Sequence, residues 1–278
     1  MSGDPKVDAT RSPRAKVTAP AIMDMKRKGE LVVVVTAYDH PTARLADEAG
    51  IDILLVGDSV GTVMLGYEST LPVTVEDILH HTRAVVRART AAMVVADMPF
   101  MSYQVSVEQA VRNAGRMIQQ GGADAVKLEG GDRVAPAIQR LVEIGIPVMG
   151  HLGLTPQSVL AFGGYKVQAR GEADQERLLR EALQLEKCGC FAIVLEGIPA
   201  QLGAAVSRAL HVPTIGIGAG PNCDGQVLVS HDLLGLYLGR IPKFVRRYAG
   251  IADTMREAYE RFRDDVKARR FPNEQESY

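Results

Sequence analysis

A short apolar run, a polar turn and a longer amphipathic segment form a unit that repeats along this chain, and the repeat restricts its fold more than any other feature. The runs begin with LVVVVTAY from Leu31, IDILLVGD from Ile51, AMVVADMP from Ala92 and DAVKLEGG from Asp124. They continue with IPVMGHLG from Ile146, FAIVLEG from Phe191, PTIGIGAG from Pro213 and QVLVSHD from Gln226. Most are near-continuous rather than alternating, which suits strands covered on both faces. The connectors read as helices. HPTARLADEAG ends in a glycine at a C′ position. SVEQAVRNAGRMIQQGG starts on Ser106 as N-cap and stops at a glycine pair. TPQSVLAF has Thr155 as N-cap and Pro156 at the first helical position. EADQERLLREALQLEKCG and IPAQLGAAVSRAL complete the set.

Strand–helix alternation of this length implies a parallel sheet, either a closed (β/α)₈ barrel or an open doubly wound sheet. Eight units without a second domain favour the barrel, over residues 21–270, with a C-terminal helix. Two features are irregular. The interval between PTIGIG and QVLVS is too short for a helix, and the connector after GHLGL is long and contains FGGYKVQAR, a loop excursion. No GxGxxG follows the first strand, so a dinucleotide site has little support.

The 278 residues are 46% hydrophobic and 23% charged, enough for a sizeable core. A net charge of -1 argues against a nucleic-acid protein, and 5% aromatics without tryptophan argue against stacking platforms. No apolar stretch approaches the roughly 20 residues that cross a bilayer. Cys188, Cys190 and Cys223 include only a CxC pair, which reads as small buried thiols in a reducing compartment. Residues 1–20 are polar, lack a signal-peptide apolar core and read as a mobile tail, as do residues 271–278.

The ends of the strands carry the chemistry. The second ends in Asp58-Ser59, the third in Asp97, the fourth in Lys127 and Glu129, the fifth in His151 and the sixth in Glu196. In a barrel all strands end on one face, where active sites sit. Lys127 and Glu129 are two apart on a strand and share a face. Each residue alone has a structural explanation, as a turn cap or local ion pair; five successive strands ending in polar groups do not. Asp58, Asp97 and Glu129 are hard oxygen donors without histidine or cysteine pairs at ligand spacing, which suits Mg²⁺ better than zinc. A divalent cation chelated by an α-keto acid stabilises the enolate formed when a neighbouring C–H is deprotonated. Glu196, on a different strand, is the candidate base, and Lys127 balances negative charge on the substrate. His80 and His81 read as solvated helix residues. GIGAGPNCDGQ is similar in composition to a phosphate-cradling loop but has no P-loop lysine.

The blocks TAYD, LLVGDS, STLPVTVEDI, ADMPFMSY, VKLEGG, GHLGLTPQSV, FGGYKVQ, IGIGAGPNCDGQVLV and IPKF stand in order from Thr36 to Phe244. In this the chain resembles the ketopantoate (3-methyl-2-oxobutanoate) hydroxymethyltransferases. The resemblance implies a TIM barrel of the phosphoenolpyruvate/pyruvate type. It implies transfer of a hydroxymethyl group from 5,10-methylenetetrahydrofolate to 3-methyl-2-oxobutanoate, giving 2-dehydropantoate on the route to pantothenate and coenzyme A. By the same resemblance Asp58, Asp97 and Glu129 are the Mg²⁺ ligands. Asp58, Ser59, Asp97 and Lys127 contact substrate, Glu196 accepts the proton, and His151 is an active-site histidine. The resemblance also implies a cytoplasmic homo-oligomer, often a decamer. Two positions depart from the family pattern: His40 stands where an aromatic commonly follows TAYD, and Ala169 where glycine commonly follows KVQ. Two other readings stay open. One is another metal-dependent carbon–carbon lyase or aldolase acting on an α-keto acid, which would usually need a reactive cysteine or an extra arginine at the mouth. The other is a catalytically silent barrel that binds a keto acid.

Overall fold

All eight apolar runs form strands in the computed structural model, which describes residues 14–88, 90–239 and 241–278. They are β1 (Val32–Thr36), β2 (Ile53–Val56), β3 (Met93–Asp97), β4 (Ala125–Glu129), β5 (Val148–Gly153), β6 (Ala192–Glu196), β7 (Thr214–Ile217) and β8 (Gly225–Leu228). Neighbours pair in parallel and β8 returns to β1, so the sheet closes into an eight-stranded barrel. The helices begin with α1 (Ala19–Lys28), α2 (His40–Glu48), α3 (Val60–Val63), α4 (Val75–Val86), α5 (Val107–Arg116) and α6 (Ala135–Glu143). They continue with α7 (Val159–Phe162), α8 (Glu172–Lys187), α9 (Ala200–Ala209), α10 (Ser230–Leu233) and α11 (Ile251–Lys267). As the sequence spacing requires, no helix joins β7 to β8. Among the described residues no helix is long and apolar enough to cross a membrane.

Period-2 alternation sorts the strand residues into two layers. Val35, Leu54, Val94, Ala96, Val126, Leu128, Ile193 and Leu195 face outward and pack with the helices. Val32, Val34, Ile53, Leu55, Met93, Val95, Ala125, Met149, Ala192, Val194 and Ile215 fill the barrel interior.

Local signals set the helix ends. Asp39 caps α2 by accepting from Thr42 N–H at 2.8 Å, and Ser106 caps α5 by accepting from Gln109 N–H at 3.1 Å. The α5 helix runs on through a π turn, Met117–Gly121, and stops at Gly122, whose φ is 78°. The stretch after Thr155 differs from expectation. Thr155 makes no side-chain cap; Pro156–Ser158 form a 3₁₀ turn, and only the single turn of α7 follows before Gly163 ends it. The reason lies in Gln157, whose backbone N–H and side chain are engaged by the barrel mouth rather than by a helix. Residues 163–171 then loop back over the mouth, where Gln168 N–H donates to the Gly197 carbonyl at 2.8 Å.

The expected tail over residues 1–20 needs correction at its inner end. Residues 1–13 lie outside the described residues, but 14–20 are bound to the barrel. Val17 N–H donates to Ala91 O at 2.7 Å, Lys16 Nζ lies 2.7 Å from Asp124 Oδ2, and Arg14 pairs with Asp47. Thr18 and Pro20 open α1, which crosses the bottom of the barrel. Ile22 of α1 is fully buried in the interior layer, worth about 1.5–3 kcal/mol of apolar transfer. Lys26 Nζ donates to Ser207 O, Val212 O and Asp224 Oδ2 at 2.7, 3.0 and 2.9 Å. Polar sequence hid this plug, because the partners of its charges lie far along the chain. At the other terminus, α11 buries no residue, the Phe271 ring meets Phe262 edge-on, and Glu274–Glu276 form a short 3₁₀ turn within the segment expected to be a tail.

Candidate active site

The inward-facing series on each strand changes character near its C-terminal end. On β3 it reads Met93, Val95, Asp97; on β4, Ala125, Lys127, Glu129; on β5, Met149, His151; on β6, Ala192, Val194, Glu196. The same pleat that packs the interior therefore delivers the charged groups to one mouth. Strand register sets their order, with Asp97 aligned to Lys127 and Glu129 to His151. Asp58 and Ser59 follow β2 in a turn, so every candidate site residue from the sequence stands at this mouth. Asp58, Asp97, Lys127, Glu129 and His151 are buried, and the Glu196 side chain is 15% exposed.

Lys127 Nζ is the hub. It lies 2.6 Å from Asp97 Oδ1, 3.8 Å from Glu129 Oε1 and 3.2 Å from His151 Nδ1. The imidazole bridges the two halves of the mouth, with Nδ1 3.3 Å from Glu129 Oε1 and Nε2 3.3 Å from Glu196 Oε2. Asp97 Oδ2 accepts the Asp58 N–H at 3.0 Å, and Tyr38 OH lies 2.8 Å from Ser59 Oγ. Gly153 lets β5 and β6 close up here: its φ is 94°, and a Cβ would come within 2.3 Å of Glu196 O.

The charges are unevenly tuned. Burial, then the charges of Asp97 and Glu129, push the Asp58 carboxyl well above the usual carboxylate range. Burial also raises Asp97, against the pull of Lys127. Glu129 feels the same burial, yet His151, Lys127 and the Gln157 N–H outweigh it and hold Glu129 low. Burial opposes the Lys127 charge, but Asp97, Glu129 and Asp58 keep its pKa above the ordinary lysine value. Burial and Lys127 both act to lower His151, while Glu129 and Glu196 draw it up to about 9. With Lys127 charged, the Nδ1 proton that favours Glu129 faces an ammonium on its other side.

Sequence reasoning missed several contributors. Gln157 Nε2 donates to Asp58 Oδ2 at 3.0 Å, and its backbone N–H donates to Glu129 Oε2 at 3.1 Å. Tyr103 OH lies 2.8 Å from Gln157 Oε1 and accepts the Glu129 N–H at 3.1 Å. Tyr38 is buried beneath Ser59, and the His81 Nδ1 contact of 2.7 Å to Tyr38 O replaces the solvated role expected for His81. TAYD, ADMPFMSY and GHLGLTPQSV were visible as blocks, but nothing in their spacing shows which member points at the mouth.

Mg²⁺ was expected on Asp58, Asp97 and Glu129. As the side chains stand among the described residues, no three His, Cys, Asp or Glu groups are arranged to hold a metal ion. The reason is Lys127, which occupies the space facing Asp97 and Glu129. The donor chemistry fits a divalent cation all the same. Asp97 Oδ1 and Glu129 Oε1 are buried and meet their neighbours only as charges, with no aligned hydrogen bond. The raised Asp58 and Asp97 mark a surplus of buried negative charge, which a hard cation relieves.

Barrel and mouth together define a closed (β/α)₈ barrel that carries a buried cluster of acids, a lysine and a histidine at the C-terminal ends of its strands. A crystal structure of 2,3-dimethylmalate lyase, a PEP mutase/isocitrate lyase superfamily member, is similar in fold, with a TM-score of 0.61, 18% identity and coverage of 91% of this chain and 87% of that one. So is phosphonopyruvate hydrolase complexed with oxalate and Mg²⁺, at 0.60 and 14%, covering 93% and 92%. The family model for ketopantoate hydroxymethyltransferase matches residues 16–274, and the chain belongs to that family. The 3-methyl-2-oxobutanoate hydroxymethyltransferase of Moorella thermoacetica is 57% identical over 95% of this chain and 98% of its own length. The enzyme of that name from Syntrophus aciditrophicus is 54% identical over 97% and 99%.

Proposed function

We propose that this chain transfers a hydroxymethyl group from 5,10-methylenetetrahydrofolate to 3-methyl-2-oxobutanoate, giving 2-dehydropantoate for pantothenate synthesis. The observation that carries the reading is the division of the mouth: Asp58, Asp97 and Glu129 on β2 to β4, and Glu196 across from them on β6, with His151 between. Family membership over nearly the whole chain supports the substrates. Asp58, Asp97 and Glu129 would hold Mg²⁺. A divalent cation bound there supplies Lewis acidity that stabilises the substrate's enolate.

The chain's own residues do the rest. Lys127, kept protonated by three carboxylates, and the Ser59 hydroxyl hold the substrate carboxylate. Tyr38 OH, 2.8 Å from Ser59 Oγ, fixes that hydroxyl. Glu196, less buried than the other acids, removes the C3 proton, and His151 Nε2 at 3.3 Å orients its carboxylate. C3 then bonds to the one-carbon unit, water supplies the hydroxyl oxygen, and tetrahydrofolate leaves. The lyase alternative loses a requirement here, because Cys188, Cys190 and Cys223 are all buried at the opposite end of the barrel. A cytoplasmic homo-oligomer completes the reading, and the exposed Met255, Tyr259 and Phe262 of α11 suit subunit contacts.

The test is ketopantoate formation assayed with and without methylenetetrahydrofolate, after EDTA and metal add-back. Activity that needs both supports the reading; turnover of the keto acid without the folate overturns it. Glu196→Gln is expected to bind 3-methyl-2-oxobutanoate yet lose C3 proton exchange into D₂O. Undiminished exchange removes Glu196 from the role of base.

A further inference from the structure

Asp58, Asp97 and Glu129 each have one oxygen tied to the scaffold, and the second oxygens of Asp97 and Glu129 face Lys127. Asp97 gives Oδ2 to the Asp58 N–H, leaving Oδ1 against Lys127. Asp58 gives Oδ2 to the side-chain amide of Gln157, and Glu129 gives Oε2 to the backbone N–H of the same residue. One residue thus tethers two of the three acids. Gln157 is itself buried, and its amide has a single allowed orientation. Oε1 lies 2.8 Å from Tyr103 OH and 3.1 Å from Gln104 Nε2. Nε2 has two acceptors, Asp58 Oδ2 at 3.0 Å and Met98 O at 2.9 Å. A flipped amide would set its oxygen against two acceptors and its N–H₂ against the Gln104 donor.

We propose that Gln157 is the positioning residue of the acid cluster, restricting Asp58 and Glu129 to one oxygen each for a cation or substrate. The proposal rests on the reading of the mouth given above. Its lever is the 3₁₀ turn of Pro156–Ser158, which aims a backbone donor at Glu129 while the side chain reaches Asp58. Tyr103 is the second part of the device. Its hydroxyl accepts the Glu129 N–H at 3.1 Å and has two acceptors for its own proton, Gln157 Oε1 at 2.8 Å and the Glu129 carbonyl at 3.1 Å, so the strand that carries Glu129 is linked through Tyr103 to the amide that holds Asp58. Neither residue touches the reacting atoms. Their effect is on how many carboxylate oxygens remain and where those oxygens stand.

The test is Mn²⁺ binding to the full chain, with and without 3-methyl-2-oxobutanoate, followed by the electron paramagnetic resonance of free Mn²⁺. Gln157→Met keeps the length but removes both ends of the amide. Gln157→Glu keeps an acceptor for Tyr103 and Gln104 but sets oxygen against Asp58. Both are expected to weaken Mn²⁺ binding about 10–100-fold, the usual effect of losing an outer partner of a metal ligand. Tyr103→Phe is expected to give a smaller loss, since Gln104 still pins Oε1. A purely structural role would lower the melting temperature and leave the Mn²⁺ dissociation constant of the folded protein unchanged. Dissociation constants less than about tenfold weaker than the parent in both Gln157 variants would overturn the inference, taking the lower end of that range as the threshold. If Gln157→Met does not fold, Gln157→Glu and Tyr103→Phe decide the matter on the same readout. Failure of the parent chain to bind Mn²⁺ would instead overturn the proposed function, and the inference with it.

Discussion

The bottom and the mouth of this barrel hold similar numbers of acids and treat them oppositely. At the bottom each acid is a terminal cap that ties one strand or connector to its neighbour. Asp52 Oδ2 accepts the Val33 N–H at 2.9 Å, Asp124 Oδ2 the Val94 N–H at 2.8 Å, and Asp224 Oδ2 the Thr214 N–H at 2.8 Å. Lys16 and Lys26 then pair with Asp124 and Asp224. At the mouth, Asp58, Asp97, Glu129 and Glu196 share one lysine and one histidine, and burial drives Asp58 and Asp97 away from their charged forms. The lower rim is built for cohesion. The upper rim holds charge that the fold alone does not satisfy, as expected where binding energy is to be used.

That contrast can be broken at several points. The largest expected effect is on turnover: Asp58→Asn should lower ketopantoate formation on the order of 10²–10³-fold, the usual loss when one preorganised polar group leaves a reacting centre. A fall of less than tenfold would show that Asp58 is peripheral. Next comes the lower rim. Lys26→Met removes the Lys26 donor from the Ser207 and Val212 carbonyls and the ion-pair partner from Asp224, and should cost about 2–3 kcal/mol in denaturant unfolding with turnover unchanged. Equal stability would mean that the plug does not hold the barrel shut.

A smaller effect with the opposite sign is expected from Asp58→Asn on stability. An acid whose folded pKa is raised costs stability once the pH exceeds its unfolded value, so the neutral amide should gain about 1 kcal/mol at pH 7. The advantage over the parent should vanish as the pH falls through the unfolded aspartate range, where the carboxyl is neutral in both states. A destabilised variant would place Asp58 among the cohesive acids. The smallest effect concerns the loop over the mouth. Ala169 adopts a φ of 51°, in the left-handed region. Ala169→Gly relieves about 1 kcal/mol of steric cost and restores most of it as chain entropy, so melting should shift by no more than a few degrees upward. A marked drop would show that the Ala169 methyl, packed against the core cluster, matters more than its backbone angle.

These two rims also differ in how far they could be read beforehand. Asp97, Lys127, Glu129, His151 and Glu196 were legible because each ends an apolar run, and the pleat converts position along a strand directly into a place at the mouth. The eight strands were legible for the same reason. Gln157 was not: its importance comes from a 3₁₀ turn that no periodicity marks, and an amide in TPQS looks like the first turn of a helix. Tyr103 acts through a hydroxyl far in sequence from its partners, 54 positions from Gln157. The plug was hidden in a similar way, since AIMDMKRK has little apolar patterning and Lys26 finds its acceptors only in the last third of the chain. The lysine between the acids was foreseen as a residue, but its occupation of the space before Asp97 and Glu129 depends on rotamers.

The Lys26–Asp224 seal joins positions 198 apart. During synthesis from the N-terminus, α1 leaves the ribosome long before the segment that receives its lysine, and before the strand that closes the barrel beside β1. The helix therefore remains undocked while seven-tenths of the chain is made, its one fully buried isoleucine exposed to other chains and to chaperones. Its docking reports that translation has passed β7, which makes the polar foot of this barrel a late event in its own assembly.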